Sequence, residues 1–159
     1  MSIDQGTTSS RALVFSTEGR VISGAQEEFP QIFPRPGWVE HDPGDIWASQ
    51  YRVMQDAVRK ADIDPGEILA VGIANQRETV VAWDRDTGKC LNNAIVWQCR
   101  RTEPMCGELR RDPGLVKKVR DDTGLVIDPY FSATKMKWLI DNSGPVRAAA
   151  ERGTLALGT

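Results

Sequence analysis

The order of the first predicted elements is the feature that most limits how this chain can fold. Apolar, strand-like segments at residues 1–3, 11–15 and 21–29 are separated by turns rich in Gly, Thr and Ser, which predicts an antiparallel meander. Asp42 and Pro43 supply an N-cap carboxylate and a first-turn proline, so a helix is predicted from there to about Lys60. The apolar, β-branched run at residues 68–75 then predicts a buried strand.

Later segments continue this alternation of strands and helices. Strands are predicted at 79–83, paired across a turn with a strand near Cys90, and at 94–97. Helices are predicted at 103–111, at 115–119, started by Asp112 and Pro113, and at 133–142 and 145–152. A meander, a crossover helix and a further strand follow the order of the α/β ribonuclease H-like (actin-like ATPase) fold. That fold is a mixed sheet with flanking helices, in which the first hairpin faces the nucleotide.

Both ends of the chain look abrupt. Only three residues precede Asp4, fewer than a strand usually needs, and the apolar run at 154–159 stops without a turn residue. We therefore expect an amino-terminal fragment of a longer protein, in which residues 1–159 form one incomplete domain truncated at both ends. A domain that lacks part of a central strand should be marginally stable or should aggregate.

Composition excludes several classes of function. Twenty basic and 22 acidic residues give a net charge of −2, so no general field attracts nucleic acid. No membrane segment or leader pattern is visible, which predicts a cytoplasmic protein. Three cysteines without C-x-x-C spacing and a single histidine, His41, make a zinc site or a Ser-His-Asp catalytic group improbable.

The first turn carries the strongest sign of phosphate binding. Gly6 can take positive φ, and successive main-chain N–H groups in such a turn form a concave anion site. Asp4 stands where a divalent ion could be held, and Arg11 could add a planar cation. Four neighbouring hydroxyls could donate to phosphate oxygens: Thr7, Thr8, Ser9 and Ser10. An ordinary β-turn is the competing interpretation, because these residue types are common in turns.

A second candidate site lies at residues 75–79, at the carboxyl end of the 68–75 strand, where open α/β sheets tend to bind ligands. Arg77 can donate and Glu78 can accept, which suits a small ligand with several hydroxyl groups. The alternative is a solvated strand end. Trp97 and Tyr130 each follow an apolar run and could cover a polyol, although core packing is the simpler explanation for each ring considered alone.

Other prominent side chains are better explained by packing or solvation. Trp38, in the proline-rich segment 30–43, is interpreted as a packing anchor. Four arginines are interpreted as a solvated helical face: Arg100, Arg101, Arg110 and Arg111.

Five blocks together closely resemble the FGGY carbohydrate kinase family. They are residues 4–11 (DQGTTSSR), 36–43 (PGWVEHDP), 75–79 (NQRET), 94–101 (AIVWQCRR) and 124–132 (GLVIDPYFS). The resemblance implies phosphorylation of glycerol by ATP, giving glycerol 3-phosphate and ADP. A homo-oligomeric parent protein is an open expectation.

The resemblance also implies roles for individual residues. Nucleotide phosphates are expected at Thr7, Thr8 and Ser9 with Arg11 beside them, and Asp4 is expected to help hold Mg²⁺ through water. Glycerol is expected at Arg77, Glu78 and Tyr130, with Trp97 as the apolar wall. The family's catalytic base, an aspartate, and its adenosine pocket are expected downstream of residue 159, so the fragment alone should be inactive.

Two alternatives stay open from the sequence. One is another FGGY sugar kinase, acting on a pentulose or gluconate. The other is a noncatalytic nucleotide-binding module of the same fold. A Walker-type nucleotide binder is set aside because the chain has no G-x-x-x-x-G-K-[ST] motif.

Overall fold

The computed structural model describes all 159 residues, which form two compact units. Unit 1 consists of residues 1–31 and 41–76, and unit 2 of residues 32–40 and 77–159. The strands are β1 (Ser2–Gln5), β2 (Ser9–Phe15), β3 (Val21–Glu28), β4 (Glu40–His41), β5 (Gly72–Ala74), β6 (Val81–Asp84), β7 (Ala94–Ile95) and β8 (Leu155–Gly158). The α-helices are α1 (Pro43–Ala61), α2 (Glu103–Leu109), α3 (Pro113–Thr123), α4 (Ser132–Asn142) and α5 (Gly144–Glu151).

Unit 1 is built on a four-stranded mixed sheet in the order β3-β2-β1-β5. β1 pairs antiparallel with β2, placing Asp4 opposite Arg11, and pairs parallel with β5, placing Ile3 opposite Ile73. β2 and β3 are antiparallel as well. The predicted meander and the predicted mixed sheet are therefore confirmed.

Helix α1 covers one face of this sheet. The Asp42 carboxylate accepts a hydrogen bond from the Gly44 N–H at 2.7 Å and caps the helix start, as its position before Pro43 predicted. Buried side chains of the helix pack against the alternate, inward-facing residues of β2: Val53 and Ala57 against Ala12 and Val14. On α1 the side chains that face the sheet recur every 3.6 residues, and on β2 every second side chain faces the helix, so the two sets of apolar residues meet in this core.

Strand β5 departs from its prediction. The run at 68–75 was expected to be a buried strand, but only Gly72–Ala74 is strand, Ile73 is 74% exposed and Leu69 is 85% exposed. β5 lies at the edge of the sheet and pairs only with β1, and α1 packs against β1, β2 and β3. An apolar composition does not bury a strand unless another layer packs on it.

Unit 2 has its own core, built around an antiparallel pair of strands and several short helices. β6 pairs with β8, so the apolar run at the chain's end forms a strand, and α4 and α5 contribute buried residues. The core consists of Val80, Ala82, Ile95, Cys99, Leu139 and Val146. The predicted pairing of 79–83 with a strand near Cys90 is reduced to a single bridge from Trp83 to Cys90.

The helices of unit 2 mostly lie where the sequence predicted them. The Asp112 carboxylate caps the start of α3, as the Asp112–Pro113 pair predicted, accepting from the Gly114 and Leu115 N–H groups at 2.8 and 3.2 Å. The helix runs to Thr123, four residues beyond the predicted end at Val119. Gly124 ends it in the left-handed conformation. No helix in the structure combines the length and the apolar character that crossing a membrane requires.

Arg101 corrects the interpretation of the four arginines as a solvated face. Its side chain is fully buried, its Nη2 donates to Glu40 Oε1 at 2.7 Å, and its guanidinium lies over the rings of Trp38 and Trp138. Trp38 and Trp138 meet edge to face with 5.3 Å between ring centroids, so Trp38 is the packing anchor that was predicted. A buried arginine is tolerated here because a carboxylate and two aromatic faces replace its water.

Candidate active site

The tip of the β1–β2 hairpin is tightly closed. The Gly6 N–H donates to the Ser9 carbonyl at 3.0 Å, and a Cβ on Gly6 would lie only 2.9 Å from that oxygen. Gly6 is not among the glycines with positive φ. Glycine is therefore required at this position by close backbone approach and not, as the sequence suggested, by a left-handed conformation.

The hydroxyl residues at the tip differ in their surroundings. Thr8 is exposed, and Thr7 and Ser9 are half-buried. Ser10 is completely buried, and its Oγ bonds to Ser49 Oγ at 2.8 Å and donates to Gln5 Oε1 at 3.0 Å. Ser10 therefore anchors the hairpin to α1 and cannot donate to a phosphate, which corrects the suggestion made from the sequence.

Asp4 and Arg11 face each other at the base of the same hairpin. Arg11 Nη1 is 3.8 Å from Asp4 Oδ2, and Arg11 also donates from Nε and Nη2 to Gln26 Oε1 at 3.2 and 3.1 Å. Both side chains are nearly half exposed. No group of three or more His, Cys, Asp or Glu side chains could hold a metal ion. A single accessible carboxylate fits Mg²⁺ that keeps most of its water ligands.

A buried hydrogen-bond chain supports the hairpin from inside unit 1. His41 is fully buried, and its Nε2 lies 2.7 Å from Gln31 Oε1, while Gln31 Nε2 donates to the carbonyls of Thr7 and Phe29. Because those two carbonyls fix the Gln31 amide, His41 Nε2 must carry the proton. His41 Nδ1 then accepts from Gln76 Nε2 at 3.5 Å. Burial lowers the pKa of His41 to about 4, so the ring is neutral at neutral pH.

In unit 2, Glu78 has an unusual backbone and a fixed carboxylate. Its φ is 67°, in the left-handed region that non-glycine residues rarely occupy. Glu78 Oε2 accepts from the Ser132 N–H at 2.8 Å and from Ser132 Oγ at 2.5 Å. Such conformations persist where neighbouring contacts hold them, and they are frequent at functional sites.

Two of the predicted substrate residues form an aromatic corner. The Trp97 and Tyr130 rings meet at 70° with 5.7 Å between centroids, and Tyr130 also meets Phe131 edge to face at 5.0 Å. Asp128 Oδ1 accepts from the Tyr130 N–H at 2.8 Å and fixes the turn. Tyr130 remains 38% exposed, so its ring is accessible to a ligand.

The predicted site residues are divided between the two units. Asp4, Thr7, Thr8, Ser9 and Arg11 lie in unit 1, whereas Arg77, Glu78, Trp97 and Tyr130 lie in unit 2. Within unit 2 the structure brings Trp97 to Tyr130 directly and ties Glu78 to Ser132, two residues beyond Tyr130. The Arg77 side chain is exposed.

Sequence reasoning missed two residues of the cluster in unit 2 that contains Glu78, Trp97 and Tyr130. Ser132 holds Glu78, and the fully buried Lys135 donates from Nζ to the carbonyls of Pro129 and Tyr130. A signal for Lys135 was present, because it stands four residues before the buried Leu139 and therefore on the inward face of α4. Ser132 gave no comparable signal, since a serine at a helix start is ordinary.

Comparison with known proteins identifies relatives of the whole chain. The chain is 57% identical over 159 residues to glycerol kinase 2 of Thermotoga maritima and 56% identical over 158 residues to glycerol kinase of Caldanaerobacter subterraneus. These matches cover 100% and 99% of this chain but 32% of each relative. The chain thus spans about a third of the length of the curated relatives it matches.

Solved structures agree with the sequence relatives. The structure of Plasmodium falciparum glycerol kinase with ADP matches with a TM-score of 0.91 and 34% identity, covering 99% of this chain and 31% of that one. Xylulose kinase from Rhodospirillum rubrum matches with a TM-score of 0.81 and 25% identity, covering 97% and 30%. The fold is the actin-like ATPase fold of these kinases. The model of the "FGGY family of carbohydrate kinases, N-terminal domain" matches residues 1–157, and the chain belongs to that family.

Proposed function

We propose that this chain is the amino-terminal part of a kinase that transfers the terminal phosphoryl group of ATP to glycerol, giving glycerol 3-phosphate and ADP. The observation that carries the proposal is the fixed Glu78 carboxylate in the unit that also forms the Trp97–Tyr130 corner. A carboxylate acceptor and an accessible aromatic wall suit a small polyol. The 57% identity to a glycerol kinase along the full chain supports the same substrate.

The hairpin of unit 1 is proposed to bind the nucleotide phosphates. The main-chain N–H groups and the hydroxyls at Thr7, Thr8 and Ser9 donate to phosphate oxygens. Arg11 lies beside them as a fixed cation, and Asp4 holds Mg²⁺ through water. Bound Mg²⁺ neutralises phosphate charge, and phosphoryl transfer depends mainly on such neutralisation and on alignment.

The cluster in unit 2 is proposed to bind glycerol. The Glu78 carboxylate accepts from substrate hydroxyls while Arg77 donates to them, and the Tyr130 hydroxyl adds a further polar contact. The Trp97 ring covers the C–H edge of the polyol. Paired donors and acceptors of this kind discriminate against analogues that lack a hydroxyl, because the protein's own polar groups would be left unpaired.

The remaining parts of the reaction are assigned to the complete protein. The attacking hydroxyl must lose a proton to a base, and we place that base and the adenosine pocket outside residues 1–159. Residues 1–159 alone are therefore expected to show no glycerol-dependent ATP turnover. The complete protein is proposed to be a cytoplasmic enzyme.

The test is an ADP-release assay on the complete protein with glycerol, xylulose and gluconate as acceptors. We expect a clear preference for glycerol, and we expect Glu78→Gln to lower kcat/KM for glycerol about 10- to 100-fold, the cost of losing a charged hydrogen-bond acceptor. Glu108→Gln is the matched control, because Glu108 is exposed and pairs only with Arg111 on the surface of unit 2. A preference for xylulose or gluconate would indicate another sugar kinase, and nucleotide binding without turnover would indicate a noncatalytic module.

A further inference from the structure

Lys135 is the largest fully buried side chain of the protein. It is the fourth residue of α4, and its ammonium donates to the Pro129 carbonyl at 3.0 Å and to the Tyr130 carbonyl. Burial lowers the pKa of Lys135 to about 8, while the negative charge of Glu78 acts in the opposite direction. The side chain therefore connects α4 to the turn immediately before it.

This position is unfavourable for a lysine on general grounds. Lysine is almost never fully buried unless it is paired, since transfer of an ammonium group out of water is costly. A positive charge in the first turns of a helix also opposes the helix dipole. An apolar side chain would fill the same space without either cost, but it could not hold two carbonyl groups.

The contacts around Lys135 converge on the proposed glycerol site. Pro129 and Tyr130 belong to the segment that presents the Tyr130 ring toward Trp97. Two residues later, Ser132 fixes the Glu78 carboxylate through its N–H and its hydroxyl. One ammonium group thus restrains the segment that sets both the aromatic wall and the carboxylate acceptor.

We propose that Lys135 is a positioning residue for substrate binding, acting through segment 128–132 on Tyr130 and Glu78. This role rests on the proposed function, because it presumes that these two side chains bind glycerol. Lys135 itself is buried and makes no contact with substrate. Its removal should weaken glycerol binding and leave the nucleotide hairpin of unit 1 unaffected.

The test compares Lys135→Met with Lys137→Met in the complete protein. Lys137 lies two residues further along α4, is 64% exposed and pairs with Asp141, so the control makes the same chemical change outside the core. We expect Lys135→Met to raise the glycerol KM about 10-fold or more while the KM for ATP changes less than about 2-fold, since two buried carbonyls lose their donor. Lys137→Met should change neither KM.

Two further measurements keep the role open to refutation. If Lys135→Met is insoluble, Lys135→Gln replaces it, because the glutamine amide can still reach one carbonyl. Lys135→Gln should raise the glycerol KM, but by less than the roughly 10-fold rise expected for Lys135→Met. Calorimetric titration of glycerol should show the same order of affinities. An unchanged glycerol KM, or equal rises for glycerol and ATP, would overturn the role of Lys135 alone. A wild-type protein without glycerol turnover would overturn the proposed function and this role with it.

Discussion

The buried His41 makes a specific prediction about the pH dependence of stability. Burial lowers the pKa of His41 to about 4, whereas an unfolded chain has a histidine pKa of about 6.5. Below pH 6.5 the unfolded state therefore binds a proton that the native state does not. The contribution of His41 to stability is intact above pH 6.5 and is lost as the pH falls toward 4.

The size of this loss follows from the two pKa values. Between pH 7 and pH 5, linkage gives a loss of about 2 kcal/mol in the free energy of unfolding, approaching about 3 kcal/mol near pH 4. The structural cause is specific: Nε2 already donates to Gln31, so an added proton must go on Nδ1, which faces the amide nitrogen of Gln76. Protonation would replace an acceptor with a donor inside the core.

Urea unfolding of the complete protein between pH 7 and pH 5 measures the effect, with His41→Gln as the comparison. A glutamine can keep a donor toward Gln31 but does not titrate, so the variant should be less stable at pH 7 and should lose about 2 kcal/mol less on acidification. An NMR titration of the His41 ring gives the direct check. A ring that titrates near pH 6.5, or equal pH slopes in both proteins, would refute the reasoning.

Two other predictions concern the hairpin and the edge strand of unit 1. Gly6→Ala places a Cβ 2.9 Å from the Ser9 carbonyl oxygen and should therefore raise the KM for ATP. Gly72→Ala is the control, because no atom lies within 4 Å of the added Cβ, and it should not raise that KM. Titrations of both variants with ATP measure the two KM values. The isolated 159-residue chain should aggregate through exposed Leu69 and Ile73, and Leu69→Lys with Ile73→Thr should raise its soluble fraction on gel filtration. A sharp, cooperative melt of soluble, unsubstituted monomer would contradict the second prediction.

Features that depend on neighbouring residues in the sequence could be predicted well. The start of α1 follows from Asp42 and Pro43, which are adjacent, and the meander follows from turns of a few residues. The burial of residues 68–75 could not be predicted in this way, because it depends on which layer covers the strand. The apolar run indicated a strand correctly, but it did not indicate that β5 would lie at an exposed edge.

Arg101 illustrates the same limit for charged residues. In the sequence it stands beside Arg100, which is exposed and pairs with Glu103 and Asp128. Arg101 is instead enclosed by Glu40 and two tryptophans, and Glu40 lies 61 residues away along the chain. The charge pattern of the sequence gives the same prediction for both arginines, and only their tertiary contacts distinguish them.

The candidate glycerol site contains one residue that the sequence indicated and one that only the tertiary contacts reveal. The polar run at 75–79 suggested Glu78 from the sequence, but the residue that fixes its carboxylate, Ser132, is 54 positions away. A carboxylate that is free to rotate loses conformational entropy when it binds a hydroxyl group, whereas one already held by Ser132 loses less. The left-handed backbone of Glu78 and the buried ammonium of Lys135 are both unfavourable for stability considered alone, and both lead to the same carboxylate and ring. The proposed role of Glu78 and Tyr130 in binding glycerol accounts for both features, because both help to hold the carboxylate and the ring in place before the substrate binds.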